Sequence, residues 1–304
     1  MMMDELLPLL PTLVHLGRTA SVSQTARELG VPRSTVSRRL SRMEELLAVK
    51  LAERTTHRLR LTGAGRKLVE GAASALARLD TVREQMMSAQ NEVRGVLRVA
   101  MPPGVAGAFL GWFLAYLHAE HAGIDIELVV TEKPPRGLDE GFDIVLVMGT
   151  PEASPWLRRK LTSVDIIAVA SSSYLGERPP PTRVEELAQH TLLTWLTPGH
   201  APTWPKWKGN PVPIKPKLVT NDISMLREMA LAGIGIAMLP EHVVLNELST
   251  SRLTPVLPQV LGASIDVFAL YPPERRASPV LRAVLEAVRM FAEVQNATVR
   301  PKRR

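Results

Sequence analysis

The residues best suited to chemistry form a basic, hydroxyl-rich stretch early in the chain, RSTVSRRLSR at positions 33–42. Arginine can fork onto the edge of a guanine, and short hydroxyls can approach base edges in a major groove. The same side chains also bind phosphate oxygens, so the pattern suits a double-stranded polyanion. The candidate contacts with such a partner are Arg33, Ser34, Thr35, Ser37, Arg38 and Arg42, followed further along by Arg54, Thr55 and Arg58.

Three helices are expected to position this stretch. Apolar spacing predicts a first helix that is regular after about residue 8, because Pro8 and Pro11 interrupt its start. A second helix is predicted over 23–29, with Ser23 as its N-cap and Gly30 as its end. The third is predicted over 33–47 and would place Arg39 and Arg42 at its side, near phosphates.

A helix-turn-helix needs particular residues where its two helices cross. A small residue (Ala26), a residue that tolerates left-handed φ (Gly30) and a buried aliphatic residue (Val36) occur at steps of four and six. Two short strands are predicted over 50–53 and 59–62, around a basic tip at 54–58. A generic amphipathic helical hairpin is the alternative, and the basic tip argues against it.

Residues 63–91 are predicted to form one long helix. Alternating steps of four and three separate its apolar residues, which is the heptad pattern of a helix that pairs with a partner helix. This pattern predicts a dimer through the helix, and a helix facing the core of a single domain is the alternative. The apolar positions are Leu68, Ala72, Ala75, Leu79, Val82, Met86 and Ala89.

Beyond Gly95 the pattern changes to strands alternating with helices, which predicts a mostly parallel α/β sheet. A hairpin-like stretch is expected at 161–170, and the Pro-rich segment 196–216 is expected to be an irregular loop. The other predicted strands are 96–101, 124–131, 144–148, 217–220, 234–239 and 265–271, with helices over 107–119, 223–232 and 279–296.

Charge is concentrated at the two ends of the chain. Residues 1–67 hold 12 Lys and Arg against 6 Asp and Glu, and four more cations lie in the tail 300–304. A basic head on a slightly acidic body indicates a polyanionic partner for the head. The 304 residues contain no cysteine, which excludes disulfides and thiolate metal sites and is compatible with a reducing cytoplasm. An acidic, Pro-interrupted N-terminus is a poor signal peptide, and no apolar run is long enough to cross a bilayer.

At this point the sequence resembles a known family. Residues 20–66, ASVSQTARELGVPRSTVSRRLSRMEELLAVKLAERTTHRLRLTGAGR, are similar to the DNA-binding domain of LysR-type transcriptional regulators. The resemblance continues more weakly through GFDIVLVMG at 141–149 and MALAGIGIAMLPE at 229–241. The sequence departs from the family pattern at Arg33, in a run that usually reads Ser-Gln-Pro, and at Ala52 and Val147, where Phe and Arg are common.

The resemblance implies an α/β protein in three parts. These are an N-terminal winged helix-turn-helix (1–62), a long linker helix used for dimerisation (63–92) and a two-lobed domain similar to periplasmic binding proteins (93–299), followed by the basic tail. Lobe I is expected from 93–162 plus 266–297 and lobe II from 163–265. The implied function is effector-modulated transcription regulation in the cytoplasm. The implied partners are promoter DNA, further copies of the chain in dimers or tetramers, and, as a further candidate, RNA polymerase.

A small-molecule effector is expected between the lobes, where parallel sheets leave a crevice at their strand ends. The side chains expected there favour a small, largely apolar or aromatic effector, with at most a carboxylate held by backbone N–H groups. The alternative is that these residues merely close strand ends. The positions are Met101, Pro103, Gly104, Thr131, Gly149, Thr150, Trp195 and Asn221.

The sequence leaves three alternatives to a regulatory function: an enzyme, a solute-binding protein and an architectural DNA-binding protein. The sequence has no Gly-x-Ser-x-Gly, P-loop or His-Glu-x-x-His motif, so no catalytic residue, metal ligand or cofactor is predicted. His118 and His121 more simply belong to a solvated helix face than to a metal site. A solute-binding protein would need a signal peptide, and a purely architectural DNA-binding protein would not need a 200-residue α/β body.

Overall fold

The computed structural model describes residues 2–54, 59–88, 93–105, 108–131, 141–151, 153–195 and 202–299. Thr55 and Arg58 of the basic tip, Ala89 of the heptad and the tail 300–304 therefore lie outside the described residues. Among the helices within those ranges, none is long and apolar enough to span a membrane.

The N-terminal part is a compact helical head with a short hairpin. Its helices are α1 (Met2–Leu6), α2 (Leu10–Thr19), α3 (Val22–Glu28) and α4 (Arg33–Leu47), with a 3₁₀ turn at Leu7–Leu9 between the first two. Strands β1 (Ala52–Arg54) and β2 (Leu59–Leu61) pair antiparallel and form the wing. The N-cap of α3 was predicted wrongly, because Ser21 and not Ser23 accepts a hydrogen bond from the backbone N–H of Gln24. Ser21 has the extended backbone that an N-cap requires, and Ser23 is already inside the helix.

The long helix α5 (Gly63–Ser88) follows the wing, and its two halves have different partners. In its N-terminal half, Val69 and Ala72 are buried in the same apolar cluster as α2 and α4. Ala72 was predicted for a dimer seam, so this position was interpreted wrongly: the helix turns it towards the head of its own chain. In the C-terminal half, Leu79, Val82 and Met86 are 66%, 51% and 70% exposed. These three residues, here called the seam, have no partner within the described part of this chain.

A single nine-stranded sheet organises the rest of the molecule. Its order is β10-β7-β11-β6-β13-β5-β3-β4, with β12 also paired to β6. Its strands are β3 (Gly95–Met101), β4 (Ile124–Val130), β5 (Ile144–Met148), β6 (Leu157–Ser171), β7 (Leu192–Trp195), β10 (Leu218–Thr220), β11 (Ile236–Pro240), β12 (Leu253–Pro255) and β13 (Ala263–Tyr271). Helices α6 (Ala108–Glu120), α7 (Ser172–Glu177), α8 (Ile223–Leu231), α9 (Leu245–Ser249) and α10 (Pro279–Val299) pack around it.

Two long central strands join the two lobes. Strands β3, β4 and β5 are parallel to one another in lobe I, and β7, β10 and β11 are parallel in lobe II. Between them, β6 and β13 run antiparallel to each other and to their neighbours. The prediction of a parallel sheet is therefore correct within each lobe and wrong at the centre. The hairpin expected at 161–170 is instead one uninterrupted strand of 15 residues, because this strand has to cross from one lobe to the other.

The segment expected to be an irregular loop contains a small sheet of its own. Strands β8 (Thr203–Trp204) and β9 (Val212–Pro213) pair antiparallel. Trp204 is fully buried in lobe II, and its ring N–H donates to Thr194 Oγ1 at 3.0 Å. The indole N–H of Trp204 has a hydrogen-bond acceptor and the rest of the ring is buried, so this residue anchors the segment to lobe II. The many prolines of the segment explain why its sequence did not predict these strands.

Candidate nucleic-acid interface and interlobe cavity

The turn between α3 and α4 has the geometry of a helix-turn-helix. Gly30 adopts a φ of +63°, and the N–H of Val31 donates to the carbonyl of Ala26 at 3.0 Å. Ala26 and Val36 are 4% and 0% exposed, so the small and the aliphatic residue lie at the helix crossing. The left-handed turn favours glycine because a side chain is strained there. The spacing that predicted this motif therefore corresponds to a real contact.

The outward face of α4 carries the predicted basic and hydroxyl residues. Arg33, Ser34 and Arg38 are exposed, and Thr35 and Ser37 are half-buried at its edge. Arg42 is also exposed, but it forms ion pairs with Glu5 of α1 and with Glu45. Exposed pairs of this kind contribute little to stability, so a phosphate can displace them.

Arg39 has a different role from the one expected. Its Nη1 donates to Thr12 Oγ1 at 2.9 Å, and Thr12 is fully buried in α2. This contact directs the guanidinium towards the head itself, where it satisfies a hydroxyl that would otherwise be buried without a partner. Arg39 therefore orients α4 on α2, a role that the sequence did not predict, and its contact with phosphate stays a prediction.

A carboxylate on α4 holds the start of the wing. Glu44 accepts hydrogen bonds from the backbone N–H groups of Leu51 at 2.9 Å and Ala52 at 3.3 Å, and from Lys50 Nζ at 2.7 Å. Burial raises the pKa of Glu44, but these hydrogen bonds outweigh it and the net effect is a lowered pKa. The wing is thus fixed relative to α4 by an ionised group, and Arg54, at the end of β1, leads into its tip.

A cavity of about 910 Å³ lies between the two lobes. Lobe I contributes the ends of β3 and β4, and lobe II contributes the start of α8 and the segment after β11. Three of the residues predicted from sequence line it: Pro103, Thr131 and Asn221. The remaining lining residues are Val130, Asp222, Ile223, Ser224, Arg227, His242, Val243, Leu245, Asn246 and Glu247.

The other five predicted effector residues do not line this cavity. Met101 is 3% exposed in the core of lobe I, because the last residue of β3 points inward. Gly149 follows β5, has a φ of +79° and donates its N–H to the carbonyl of Asp266 in β13. It therefore lies where β5 pairs with the central strand β13, and Thr150 beside it is exposed. Trp195 packs on the core of lobe II.

Gly104 belongs to the contact between the lobes. A Cβ on this glycine would lie 3.0 Å from Met148 Sδ and 3.3 Å from Ile223 Cδ1, so an added side chain would require these two side chains to shift slightly. The ring of His242 also lies against the Gly104 backbone. These contacts show that lobe I and lobe II touch beside the cavity.

The lining of the cavity includes polar side chains that were not predicted from the sequence. Asp222 caps α8 by accepting from the N–H groups of Ser224 and Met225 at 2.8 and 3.0 Å. Arg227 is paired with Glu228 and with the buried Glu247. Burial lowers the pKa of His242 to about 4, so its ring is neutral at pH 7. The position of Asp222 could have been recognised from the sequence, since an acidic residue before a predicted helix is a typical N-cap. Nothing in the sequence, however, indicates that Arg227 or residues 242–247 lie near Thr131.

Within the described ranges, no three His, Cys, Asp or Glu side chains are grouped closely enough to hold a metal ion.

The head and the two-lobed body together define a class: transcription regulators that bind DNA and respond to an effector. Comparison with known proteins agrees with this class. Residues 7–66 match the bacterial regulatory helix-turn-helix proteins of the lysR family, and residues 90–292 match the LysR substrate binding domain. The chain therefore belongs to the LysR family of transcription regulators, whose members bind promoter DNA and form oligomers.

Similar proteins share this architecture along nearly their whole length. The HTH-type transcriptional regulator CrgA of Neisseria meningitidis serogroup C is 29% identical over 280 residues, which cover 91% of this chain and 94% of CrgA. The transcriptional activator AaeR of Escherichia coli K12 is 28% identical over 278 residues, 90% of each chain. The solved structure of CrgA has a TM-score of 0.61 at 29% identity and covers 93% of this chain and 98% of its own. Full-length AphB of Vibrio cholerae, at 24% identity, has the same fold, with a TM-score of 0.59 and coverage of 94% and 99%.

Proposed function

We propose that residues 1–62 bind a promoter with α4 in the major groove, that 63–92 pair two chains, and that a small molecule in the interlobe cavity of 93–299 modulates the binding. The lobes are proposed as 93–162 plus 266–297 and 163–265. The observation that carries the proposal is the exposed basic face of α4 on a helix-turn-helix. The relatives are named as regulators, which supports a role without catalysis. Since the target is promoter DNA, the cytoplasm is the proposed place of action and RNA polymerase a further partner.

Arg38 is the proposed base-reading residue. It is exposed at the middle of the α4 face, one turn from Ser34 and beside Ser37. Arg38→Ala is expected to weaken binding by about 1–3 kcal/mol and to relax preference at one base pair, because a bidentate contact with guanine is lost. Gel shifts with the DNA flanking its own gene, and with single-base variants of the bound site, measure both effects.

The matched control for this experiment is Arg83→Ala. Arg83 is an exposed arginine on α5, outside the head, and it pairs with Asp80 one turn away in its own helix. The Arg83→Ala substitution removes the same charge as Arg38→Ala but leaves α4 unchanged. The affinity of this variant for DNA should therefore stay near that of the wild type. If Arg38→Ala binds as tightly as this control, with unchanged base preference, the proposed orientation of α4 is wrong.

The cavity is the proposed effector site. Arg227 is paired with the buried Glu247, and Asp222 caps α8, so these polar groups already have partners within the protein. The proposed ligand therefore stays a small, largely apolar or aromatic molecule. A small-molecule library screened by thermal shift on the full chain identifies ligands, because a ligand that binds the native state raises its melting temperature. The two variants Thr131→Val and Asn221→Ala should then weaken binding. A ligand that binds both with wild-type affinity contradicts the placement of the site.

A further inference from the structure

Three charged side chains form a buried network where α5 meets lobe I. Nη2 of Arg275 lies 2.8 Å from Oε1 of Glu84, and Nε of Arg275 lies 3.0 Å from Oδ1 of Asp143. Glu84 also accepts a hydrogen bond from the hydroxyl of Ser278, at the start of α10. The side chains of Glu84 and Arg275 are each 3% exposed and that of Asp143 is 22% exposed. The linker helix is thus connected to the body by ion pairs shielded from water.

Further hydrogen bonds extend this contact along the helix. Thr81 Oγ1 donates to the carbonyl of Glu274 at 3.1 Å, Ser74 Oγ donates to Glu274 Oε1 at 2.6 Å, and Gln85 Nε2 donates to the carbonyl of Ala277 at 3.2 Å. Successive helix residues are rotated by about 100°, which turns most of this face away from the seam. The linker helix can therefore hold lobe I with one face and remain available to a partner helix with the other.

Burial makes this network sensitive to the loss of a single member. A buried charge that loses its partner is strongly destabilising, whereas an exposed pair contributes little. Burial raises the pKa of Asp143, and the neighbouring Arg275 guanidinium offsets part of this rise. A shift of the helix by a few ångströms would separate Glu84 from Arg275, both of which are almost wholly buried, so docked and undocked are distinct states of the helix.

The network is also connected to the cavity through the strands of lobe I. Oδ2 of Asp143 accepts a hydrogen bond at 2.9 Å from the N–H of Arg98 in β3, and Asp143 directly precedes β5. Strands β3 and β5 are parallel, and beyond their far ends Pro103 lines the cavity while Met148 contacts Gly104. Two adjacent strands thus have the network at one end and the interlobe cavity at the other.

We propose that Glu84, Arg275 and Asp143 form the joint that transmits closure of the interlobe cavity to the linker helix and so to the DNA-binding head. They are positioning residues, and the inference rests on the proposed effector function of the cavity. Closure of the lobes changes the position of β3 and β5 relative to lobe II. The joint passes this movement to α5, whose N-terminal half is packed into the head.

The test measures the distance between α5 and lobe I in the full-length protein. Because the chain has no cysteine, spin labels can be placed through Glu70→Cys on α5 and Glu120→Cys on α6, both of which are exposed. Dilution with unlabelled protein restricts pulsed EPR to distances within one chain. In Glu84→Gln the distance distribution should broaden, because the helix loses its anchor. In Arg83→Gln, which removes an exposed charge one residue away, the distribution should stay narrow.

Transmission is tested by closing the cavity without an effector. A short bis-maleimide bridges cysteines introduced by Thr131→Cys and Asn221→Cys, which lie in different lobes, and affinity for the DNA bound by the wild type is measured by gel shift. With an intact joint, the bridge should shift the affinity, and in Glu84→Gln that shift should be lost while Arg83→Gln keeps it. An equal shift in Glu84→Gln, or no shift with the joint intact, overturns the proposal. Neither result bears on effector binding, which the thermal-shift screen tests separately.

A second variant keeps the test usable if Glu84→Gln does not fold. The double replacement Glu84→Leu with Arg275→Met removes both buried charges together and leaves Asp143 enough exposure to remain solvated. Apolar replacement of a whole buried pair is often neutral or stabilising. This variant should fold and still lose the shift caused by the bridge, and a retained shift in it also overturns the proposal.

Discussion

A charge introduced into the seam of α5 should prevent dimerisation without unfolding the single chain. Leu79 is 66% exposed in the single chain, so Leu79→Glu places a carboxylate where water already reaches and should leave the head folded. If two chains pair through this helix, the same carboxylate becomes buried next to its copy. The variant should therefore reach the wild-type melting temperature at concentrations where both are monomers, but fail to dimerise.

The size of the effect follows from the exposed areas. Full burial of a Leu, Val or Met side chain stabilises by about 1.5–3 kcal/mol. Scaled by exposures of 66%, 51% and 70% for Leu79, Val82 and Met86, the seam contributes roughly 5–10 kcal/mol per dimer as an upper estimate. Leu79→Glu removes about 2–4 kcal/mol of this and adds about 1 kcal/mol of repulsion at a high dielectric constant. The dimer should therefore be weakened roughly 10²- to 10⁴-fold.

Sedimentation velocity on residues 1–92 across a concentration series measures the dimerisation constant. Gly71→Glu is the matched control, because it adds the same side chain to the same helix at an exposed position where a Cβ would meet nothing within 4 Å. The control should dimerise like the wild type. If Leu79→Glu dimerises as tightly as Gly71→Glu, the seam is not the interface. If the wild-type fragment stays monomeric, the linker helix alone does not pair the chains.

Three further perturbations have outcomes that the structure determines. Gly65→Ala should destabilise the chain by about 2–3 kcal/mol in urea unfolding, because its Cβ would lie 2.0 Å from the carbonyl oxygen of Leu51. Gly71→Ala has open space around it and should instead stabilise the chain by up to about 1 kcal/mol. Equal effects of the two substitutions on the free energy of unfolding would contradict the close contact at Gly65. The pKa of His242 is lowered to about 4 in the folded chain, so the unfolded chain takes up a proton at this residue at higher pH, and stability should fall as the pH drops from about 6.5 to 4. Thermal melts of His242→Gln should show a shallower fall over this range. Identical profiles of wild type and variant would refute the lowered pKa of His242. Arg58→Ala, at a proposed phosphate contact in the wing, should weaken binding to all sequences alike and reduce the slope of log affinity against log salt by about one, whereas a sequence-dependent loss would place Arg58 at a base.

The sequence by itself determined the local structure of the head. The helix-turn-helix was predictable because its requirements are local: a small residue at Ala26, a left-handed turn at Gly30 and an aliphatic residue at Val36 lie within eleven positions of each other. The limits of α4 were predictable for the same reason, since its apolar stripe has the helical period. The N-cap of α3 was misplaced by two residues because two serines lie close together and only the backbone conformation distinguishes them.

Contacts between distant segments were decided only by the tertiary structure. A heptad pattern cannot distinguish an apolar residue that is buried against the head of the same chain, such as Ala72, from one that is exposed in the single chain, such as Leu79. Likewise, alternating strands and helices did not reveal that β6 and β13 cross both lobes, because strand direction depends on pairing partners far away in sequence.

The joint and the cavity are the extreme cases of this limit. Glu84 and Arg275 are 191 residues apart in sequence, and Thr131 and His242, from different lobes, line the same cavity. Each of these residues looks like an ordinary surface residue in its own segment. Burial gives them their properties: it leaves Glu84 and Arg275 as each other's counter-ions and keeps His242 neutral, and burial is a property of the assembled chain.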